Sequence, residues 1–230
     1  MIKRWFVTGT DTSVGKTVAV CILLKTAHKK GYKTAGYKPI ASGSEILCKN
    51  NKLLFNKDTL MIQNHSSIKL NYKEINPIFF EEQAPPHILN KKNKYKISMS
   101  KLSLGLKKIS KKSNFLLIEG AGGWHTPLSN KHKFSDWVIK EKLPVIIVVN
   151  LKIGCINHTI LTYEAIISSN LNISGWIANN VKKPDIYCQD YINTINYMLK
   201  IPFLGEIPYS KNLKHLFYKN DLIKIPQITN

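Results

Sequence analysis

Two short segments of the chain are apolar without interruption until they reach a polar end: FLLIEG at residues 115–120 and PVIIVVN at residues 144–150. A strand with one face in water alternates apolar and polar residues, so an unbroken run indicates a strand buried on both faces, as in a parallel sheet. These runs predict strands at Phe115–Glu119 and Val145–Asn150. Further strands are predicted at Arg4–Thr8, Lys33–Tyr37, Ile173–Asn179 and Phe203–Gly205.

Segments with apolar residues at helical spacing lie between the predicted strands. They predict helices at Thr17–Lys29, Ser100–Lys111, Asn157–Ser168 and Tyr187–Leu199. This alternation is typical of an α/β fold with a doubly wound, mostly parallel sheet and helices on both faces. We expect residues 1–230 to form a single domain, in which the polar stretches Glu45–Lys57 and Ile88–Ser100 are exposed connections. The lysine-rich tail after Tyr209 gives no clear pattern.

Composition excludes several classes of protein. Hydrophobic residues make up 43% of the 230 residues, which is enough for a folded core. No apolar run reaches the roughly 18–20 residues that a membrane-spanning helix needs, and the first strand begins too early for a leader peptide. The cysteines at positions 21, 48, 155 and 188 are too dispersed for a zinc site or a disulfide framework. We therefore expect a cytoplasmic protein with no membrane partner.

The formal net charge of +20 could indicate a nucleic-acid partner. However, Arg4 is the only arginine, whereas proteins that bind bases favour the bidentate arginine fork. The lysines are also spread along the whole chain. We therefore interpret the charge as solvated background that helps to attract anionic nucleotides, and we expect no nucleic-acid partner.

The segment GTDTSVGKT, residues 9–17, lies between a predicted strand and a predicted helix. Gly9 and Gly15 allow backbone conformations closed to other residues, and the N–H groups of such a turn suit phosphate oxygens. Lys16 adds a positive charge and Thr17 a hydroxyl that can bind Mg²⁺. The spacing between the glycines is one residue longer than the common motif. The segment is therefore either a variant phosphate loop or an ordinary turn.

Two carboxylates qualify as metal ligands for such a loop. Glu119 ends a buried strand, where an unpaired carboxylate is costly and a metal contact would remove the cost. The alternative is that Glu119 pairs with Lys16 or with a backbone N–H. Asp58 lies at or near a helix start, so it is either a metal ligand or a simple helix cap.

A second lysine and a second helix start complete the candidates. Lys38 ends a predicted strand, where it either faces an anionic group such as the ATP γ-phosphate or extends into solvent. The segment LKIGCINHTIL, residues 151–161, passes through Gly154 into a helix near Asn157. Its free N–H groups either bind an anion such as a carboxylate or are capped by Asn157.

Taken together, these motifs resemble one known family. The segments GTDTSVGKT, AGYKPIASGS, EGAGGWHTPLS, LPVIIVVNLKIGCINH, GWIANN and LGEIP resemble the dethiobiotin synthetases, in the same order and over roughly nine tenths of the chain. The resemblance accounts for the long loop spacing. It implies a phosphate-loop NTPase-like fold and a cytoplasmic homodimer that uses ATP and Mg²⁺. It also implies a reaction in biotin biosynthesis, in which 7,8-diaminopelargonate (7,8-diaminononanoate) and CO2 give the cyclic urea of dethiobiotin.

The resemblance also implies site residues. Lys38 would be catalytic, and Mg²⁺ would be bound by Thr17, Asp58 and Glu119. ATP would be bound by Ser13, Val14, Gly15, Lys16, Thr17, Val18, Asp58, Glu119, Gly120, Ala121, Gly122, Asn179, Asn180, Pro208, Tyr209 and Ser210. The diamine substrate would be bound by Ser42, Gly154, Cys155, Asn157 and Tyr191, the last of these from the other subunit.

Two positions depart from the family pattern. Ser13 stands where some members have Glu, and Asn180 where some have Asp, which affects nucleotide affinity or base preference more than chemistry. The main rival function is a partitioning-type ATPase that acts on a protein partner. Its loop usually has a second lysine early in the motif, where this chain has Asp11 and Thr12.

Overall fold

A six-stranded parallel sheet forms the centre of the protein in the computed structural model, which describes residues 2–48, 53–92, 97–219 and 221–227. All of its neighbouring strands are paired in parallel. In spatial order the strands are β10 (Phe203–Ile207), β9 (Ile173–Asn179), β8 (Val145–Asn150), β1 (Lys3–Gly9), β7 (Phe115–Gly123) and β2 (Thr34–Tyr37).

Helices cover both faces of this sheet, as the sequence predicts. They are α1 (Lys16–Lys29), α2 (Lys57–His65), α3 (Tyr72–Ile75), α4 (Pro86–Lys92), α5 (Met99–Ser110), α6 (Phe134–Lys140), α7 (Cys155–Ile167), α8 (Cys188–Leu199) and α9 (Leu213–Tyr218). The doubly wound α/β prediction is therefore confirmed. Among the described residues, none of the helices combines the length and the apolar character needed to cross a membrane.

The unbroken apolar runs occupy the middle of the sheet. Strand β1 lies between β8 and β7, and the residues of β7 from Phe115 to Gly120 are all buried. Helices shield both faces of these strands, which is why their sequences do not alternate. The buried hydrophobic residues form one continuous cluster that runs from Trp5 in β1 to Ile223 near the end of the chain.

Two segments differ from the prediction of exposed connections. Within Glu45–Lys57, the described residues form an antiparallel pair of strands, β4 (Glu45–Cys48) and β5 (Leu53–Phe55), before α2 begins. Within Ile88–Ser100, residues 88–92 belong to α4, where Leu89 is buried, and α5 begins at Met99. Residues 49–52 and 93–96 lie outside the described part of the chain.

The structure also assigns elements to segments without a sequence signal. A short parallel pair forms from β3 (Ile40–Ser42) and β6 (Ile78–Phe80), and it continues beyond the C-terminal end of β2. The tail after Tyr209 contains α9, and Ile223 forms an antiparallel bridge with Gly205 in β10. These contacts join residues that are distant in sequence, so no local hydrophobic periodicity predicts them.

Parallel pairing brings the C-terminal ends of the strands to one edge of the sheet. Gly9 at the end of β1 pairs with Gly123 of β7 and with Val148 of β8. Asn150 at the end of β8 pairs with Asn179 at the end of β9. Open α/β sheets bind ligands at this edge, so the fold brings together the predicted site residues that follow these strands.

Candidate active site

The segment from Gly9 to Lys16 forms a loop between β1 and α1. Gly15, which precedes α1, has a left-handed backbone with φ of 88°, and Ser13 also has a positive φ of 58°. A Cβ atom on Gly9 would lie 2.5 Å from the Val14 side chain, so the loop closes only over a glycine there. The loop therefore has the backbone of a phosphate-binding turn at a helix N-terminus.

Asn179 supports this loop from the end of β9. Its side-chain amide donates a hydrogen bond of 2.7 Å to the carbonyl of Val14. A Cβ atom on Gly15 would lie 2.0 Å from the Asn179 Nδ2 atom, so only glycine lets the loop approach β9 this closely. Asn179 thus fixes the loop conformation, a contact that sequence reasoning did not anticipate.

Lys16 extends across the loop. Its Nζ donates a 2.6 Å hydrogen bond to the Gly122 carbonyl and a 3.4 Å hydrogen bond to the Asp11 carbonyl. Only 8% of Lys16 is exposed. Burial, with a smaller contribution from the like charge of Lys38, lowers the pKa of Lys16 from 10.5 to about 8. Glu119 attracts Lys16 but does not reverse the effect.

Lys38 lies at the centre of the site. Its Nζ is 2.6 Å from Asp58 Oδ2 and 2.7 Å from Glu119 Oε1, and Thr17 Oγ1 donates a 2.8 Å hydrogen bond to the same Glu119 oxygen. Lys38 is 5% exposed and Glu119 is 1% exposed. The solvent-exposed alternative for Lys38 is therefore wrong, as is pairing of Glu119 with Lys16.

The charges in this cluster are unequal. Burial lowers the pKa of Lys38, but attraction by Glu119 and Asp58 exceeds this effect, so the net direction is upward and the ammonium stays charged. Burial raises the pKa of Glu119 despite the attraction of Lys38, whereas Lys38 holds the pKa of the half-exposed Asp58 low against burial. One ammonium thus faces two carboxylates, so the negative charge of the Glu119 carboxylate is only partly compensated.

The cluster fits a divalent cation. Glu119 Oε2 is buried and has no hydrogen-bond partner within the described residues, so it is a carboxylate oxygen free to bind a metal. No group of three or more His, Cys, Asp or Glu residues suited to a metal is present in that part of the chain. Mg²⁺ does not need such a group, because it is usually held by one or two carboxylates together with substrate phosphates and water.

A cavity of about 750 Å³ opens above the loop and this cluster. The predicted residues that line it are Ser13, Gly15, Lys16, Thr17, Val18, Lys38, Ser42, Asp58, Glu119, Gly120, Ala121 and Gly122. The structure thus brings together the predicted phosphate, metal and catalytic residues. Asp58 belongs to the first turn of α2, but Asn56 caps this helix through a 3.1 Å hydrogen bond from the Thr59 N–H. Asp58 is therefore not the cap.

The other predicted residues do not line this cavity. Asn180, which follows β9, donates from its side chain to Glu206 Oε1 at 2.5 Å. Pro208, Tyr209 and Ser210 follow β10. In the described part of the chain, none of these four residues, nor Val14 and Asn179, forms part of the cavity wall.

The second predicted anion site lies at the start of α7. Gly154 is the residue before this helix, with φ of 88°, and Asn157 lies inside the first turn and not at the N-cap position. Lys152 Nζ lies 3.3 Å from Asp11 Oδ2, which ties this helix start to the phosphate loop. Within the described residues, Gly154, Cys155, Asn157 and Tyr191 do not line the cavity that contains Lys38.

One wall of the cavity escaped the sequence analysis. It is formed by residues 83–87, which lie between β6 and the first turn of α4, together with Ile40 and Ala41 of β3. Leu213 of α9 also contributes. The pair Pro85-Pro86 was the available signal, because proline favours the first turn of a helix.

The chain matches a family described as AAA domain over residues 3–215. Solved structures with similar folds include a ParA family ATPase from Chlorobium tepidum TLS, with a TM-score of 0.56, 11% identity, and coverage of 96% of this chain and 91% of that chain. The MinD cell division protein of Aquifex aeolicus gives a TM-score of 0.53, 15% identity, and coverage of 96% and 87%. At such identities the likeness concerns the fold alone. Fold, loop and family match define the class of phosphate-loop nucleotide-binding proteins.

Closer relatives narrow the class. The ATP-dependent dethiobiotin synthetase of Buchnera aphidicola subsp. Acyrthosiphon pisum (strain 5A) is 53% identical over 227 residues, with 99% of this chain and 100% of the relative covered. The corresponding protein of Escherichia coli (strain K12) is 48% identical over 209 residues, with coverage of 91% and 92%. The chain belongs to the ATP-dependent dethiobiotin synthetase family, as the sequence motifs predict.

The lowered pKa of Lys16 predicts how ATP affinity depends on pH. Above about pH 8 the free protein loses the Lys16 charge, and ATP must restore it by taking up a proton. We expect the Kd for ATP to rise by up to about tenfold per pH unit above pH 8. Calorimetry at pH 7, 8 and 9 in two buffers of different ionisation enthalpy measures both the affinity and the proton uptake.

The matched variant is Lys16→Arg, because arginine remains protonated throughout this pH range. We expect weaker ATP binding by this variant, without proton uptake between pH 8 and pH 9. Equal pH dependence in the two proteins would show that another group titrates.

Proposed function

We propose that this chain is an ATP-dependent cyclo-ligase that makes dethiobiotin from 7,8-diaminopelargonate, CO2 and ATP, with release of ADP and phosphate. The observation that carries this proposal is the buried Lys38 ammonium, which contacts Asp58 and Glu119 beside the phosphate loop. A second cation next to Lys16 suits a site where negative charge accumulates during phosphoryl transfer. The names of the relatives support the choice of substrates.

The reaction requires three bond-forming steps. An uncharged amine of the substrate attacks CO2 and gives a carbamate. A carbamate oxygen then attacks the γ-phosphorus of ATP, and ADP leaves with the bonding electron pair. The neighbouring amine attacks the carbonyl carbon of the resulting mixed anhydride, so that the ring closes, phosphate leaves and takes up the proton that the amine loses. The protein contributes alignment and charge neutralisation, and it forms no covalent bond to the substrate.

The chain supplies these contributions from named groups. The N–H groups of Ser13 to Val18 hold phosphate oxygens, and Lys16 moves from the Gly122 carbonyl to the phosphates when they enter. Lys38 neutralises charge at the γ-phosphate. Thr17, Asp58 and Glu119 would hold Mg²⁺, which when bound supplies a Lewis acid for the phosphate oxygens.

The rest of the nucleotide site follows from the family resemblance. Gly120, Ala121 and Gly122 border the triphosphate, and all three line the cavity. Asn179, Asn180 and residues 208–210 contact the adenine from the ends of β9 and β10. Asn180 Oδ1 is buried without a hydrogen-bond partner among the described residues, which suits an acceptor for the base amino group.

We also propose a homodimer. Large apolar side chains are exposed around the starts of α7 and α8: Ile153 (87%), Ile186 (86%), Tyr187 (56%), Leu161 (56%) and Val181 (40%). Such a patch is typical of a protein interface. The site for the substrate carboxylate, formed by Gly154, Cys155, Asn157 and Tyr191, lies within the same region. A two-fold dimer would place it over the partner's cavity beside Ser42, so that each active site draws on both chains.

Three further expectations from the sequence form part of this proposal. We propose one domain over residues 1–230, a cytoplasmic location, and no nucleic-acid partner. The continuous hydrophobic cluster supports the single domain. The dispersed lysines, with one arginine, support the absence of nucleic acid.

The decisive assay supplies purified protein with the diamine, bicarbonate, Mg²⁺ and ATP. We expect mass spectrometry to detect the cyclic urea, with one phosphate released for each ring closed. Omitting the diamine should abolish most phosphate release. Equal ATP hydrolysis with and without the diamine would reject the cyclo-ligase and favour the partitioning-type ATPase.

The variant Lys38→Gln tests the central ammonium. We expect ATP binding to persist while kcat falls by about 10²–10³-fold, because the group that stabilises the transferring phosphate is lost. Steady-state turnover and ATP titration measure the two effects. The matched control is Lys57→Gln, because Lys57 lines the same cavity but its side chain is 66% exposed. Near-normal turnover of Lys38→Gln would reject the role.

Mixing two inactive variants tests the shared active site. Lys38→Gln and Asn157→Ala alter opposite parts of the proposed composite site, so a mixed dimer retains one intact site. We expect equimolar mixing to restore about a quarter of the parent activity, because half of the dimers are mixed and each has one intact site. If each chain formed its site alone, or if the protein were monomeric, mixing would restore nothing.

A further inference from the structure

The wall formed by residues 83–87 lies on the substrate side of the cavity. The backbone N–H of Gly43 donates to the carbonyls of Phe80 and Glu82, each at 3.0 Å. These bonds hold the start of the wall beside Ser42, which pairs with Phe80 between β3 and β6. The wall therefore borders the space next to the proposed substrate contact.

His87 is the one histidine among the described residues of this cavity lining. Its Nδ1 atom is buried and has no hydrogen-bond partner within the described part of the chain. The residue as a whole is only half-buried. Nε2 is not among the buried unpaired atoms, so it is the more accessible of the two ring nitrogens in a residue that lines the cavity.

The buried, unpaired Nδ1 atom indicates which ring nitrogen of His87 carries the proton. Buried N–H groups without an acceptor are rare and costly, whereas an unused lone pair is tolerated more often. We therefore assign the proton to Nε2, and the uncharged ring donates one hydrogen bond. A doubly protonated ring would bury an unpaired N–H beside a cavity that already contains Lys16, Lys38 and Lys57.

We propose that His87 contacts the substrate as an uncharged hydrogen-bond donor, with Nε2–H bound to the oxygen of CO2 that becomes the urea carbonyl of the product. This proposal rests on the cyclo-ligase function. In the carbamate, the contact orients the carboxylate while the other oxygen attacks phosphorus. In ring closure, the amine–carbon bond forms, the carbonyl π electrons move onto this oxygen, their return expels phosphate, and the new urea nitrogen gives its extra proton to the departing phosphate. The donor faces the oxygen where this charge develops.

An uncharged donor suits both steps. A cation at this position would form an ion pair with the carbamate and reduce its nucleophilicity toward phosphorus. The lysines already neutralise the phosphate side of the cavity. Asp58 and Glu119 are carboxylates that accept hydrogen bonds from Lys38, so neither of them can donate a hydrogen bond to the substrate. An uncharged imidazole in the cavity lining fills this need without adding charge.

The test compares His87→Gln with His87→Ala. Glutamine can place an N–H near the position of Nε2 but cannot act as a base, whereas alanine removes the donor. We expect kcat to fall by about 10²–10³-fold in His87→Ala, with ATP affinity unchanged, and to recover most of that loss in His87→Gln. Equal loss in both variants would overturn the assignment of an uncharged donor, and parent activity in His87→Ala would overturn any contact with the reacting group.

A second readout separates this contact from a structural role. If ring closure slows after the anhydride has formed, water intercepts the anhydride, so phosphate release exceeds cyclic urea in His87→Ala. A purely structural defect would lower both products together and would overturn the proposal. The variant Gln83→Ala, from the same wall, should keep the parent ratio. Failure of the unaltered protein to make any cyclic urea would instead reject the cyclo-ligase function.

Discussion

The pairing of one buried ammonium with two carboxylates governs the rest of this site. Lys38 contacts Asp58 at 2.6 Å and Glu119 at 2.7 Å, and the Lys38–Glu119 pair is buried where water screens its charges little. Removing one member of a buried pair such as Lys38 and Glu119 typically costs about 3–5 kcal/mol, because the remaining charge is left uncompensated. The three residues come from the end of β2, from α2 and from β7, so the cluster joins three elements of the fold.

The same edge of the sheet also positions the phosphate loop. Gly9 ends β1, Asn179 ends β9, and the two bracket the turn that leads into α1. The Asn179 amide holds the Val14 carbonyl, while Thr17 at the start of α1 donates to Glu119. Loop and carboxylate cluster are therefore connected through one hydroxyl. A shift of α1 along its axis would disturb both at once.

The sequence predicted the central sheet well, because the signals there are local. Unbroken apolar runs identified β7 and β8, although β7 continues to Gly123, beyond the predicted end at Glu119. That extension depends on pairing with Gly9 of β1. The β4–β5 pair, the short α4 and the tail on β10 likewise depend on contacts between distant residues, so periodicity could not reveal them.

The site was predictable by residue type but not by partner. Position at strand ends singled out Lys38 and Glu119, yet nothing in the sequence showed that they contact each other. Asp58 could not be separated from a helix cap until Asn56 was seen to fill that role. His87 gave no signal, because its significance lies in an atom buried without a partner.

The Lys38 ammonium has a consequence for the resting protein. It partly balances the two acidic groups without any divalent ion, so their mutual repulsion is offset in the empty site. Two acids held side by side by a single lysine form a site whose charge balance changes as soon as an anion competes for that lysine.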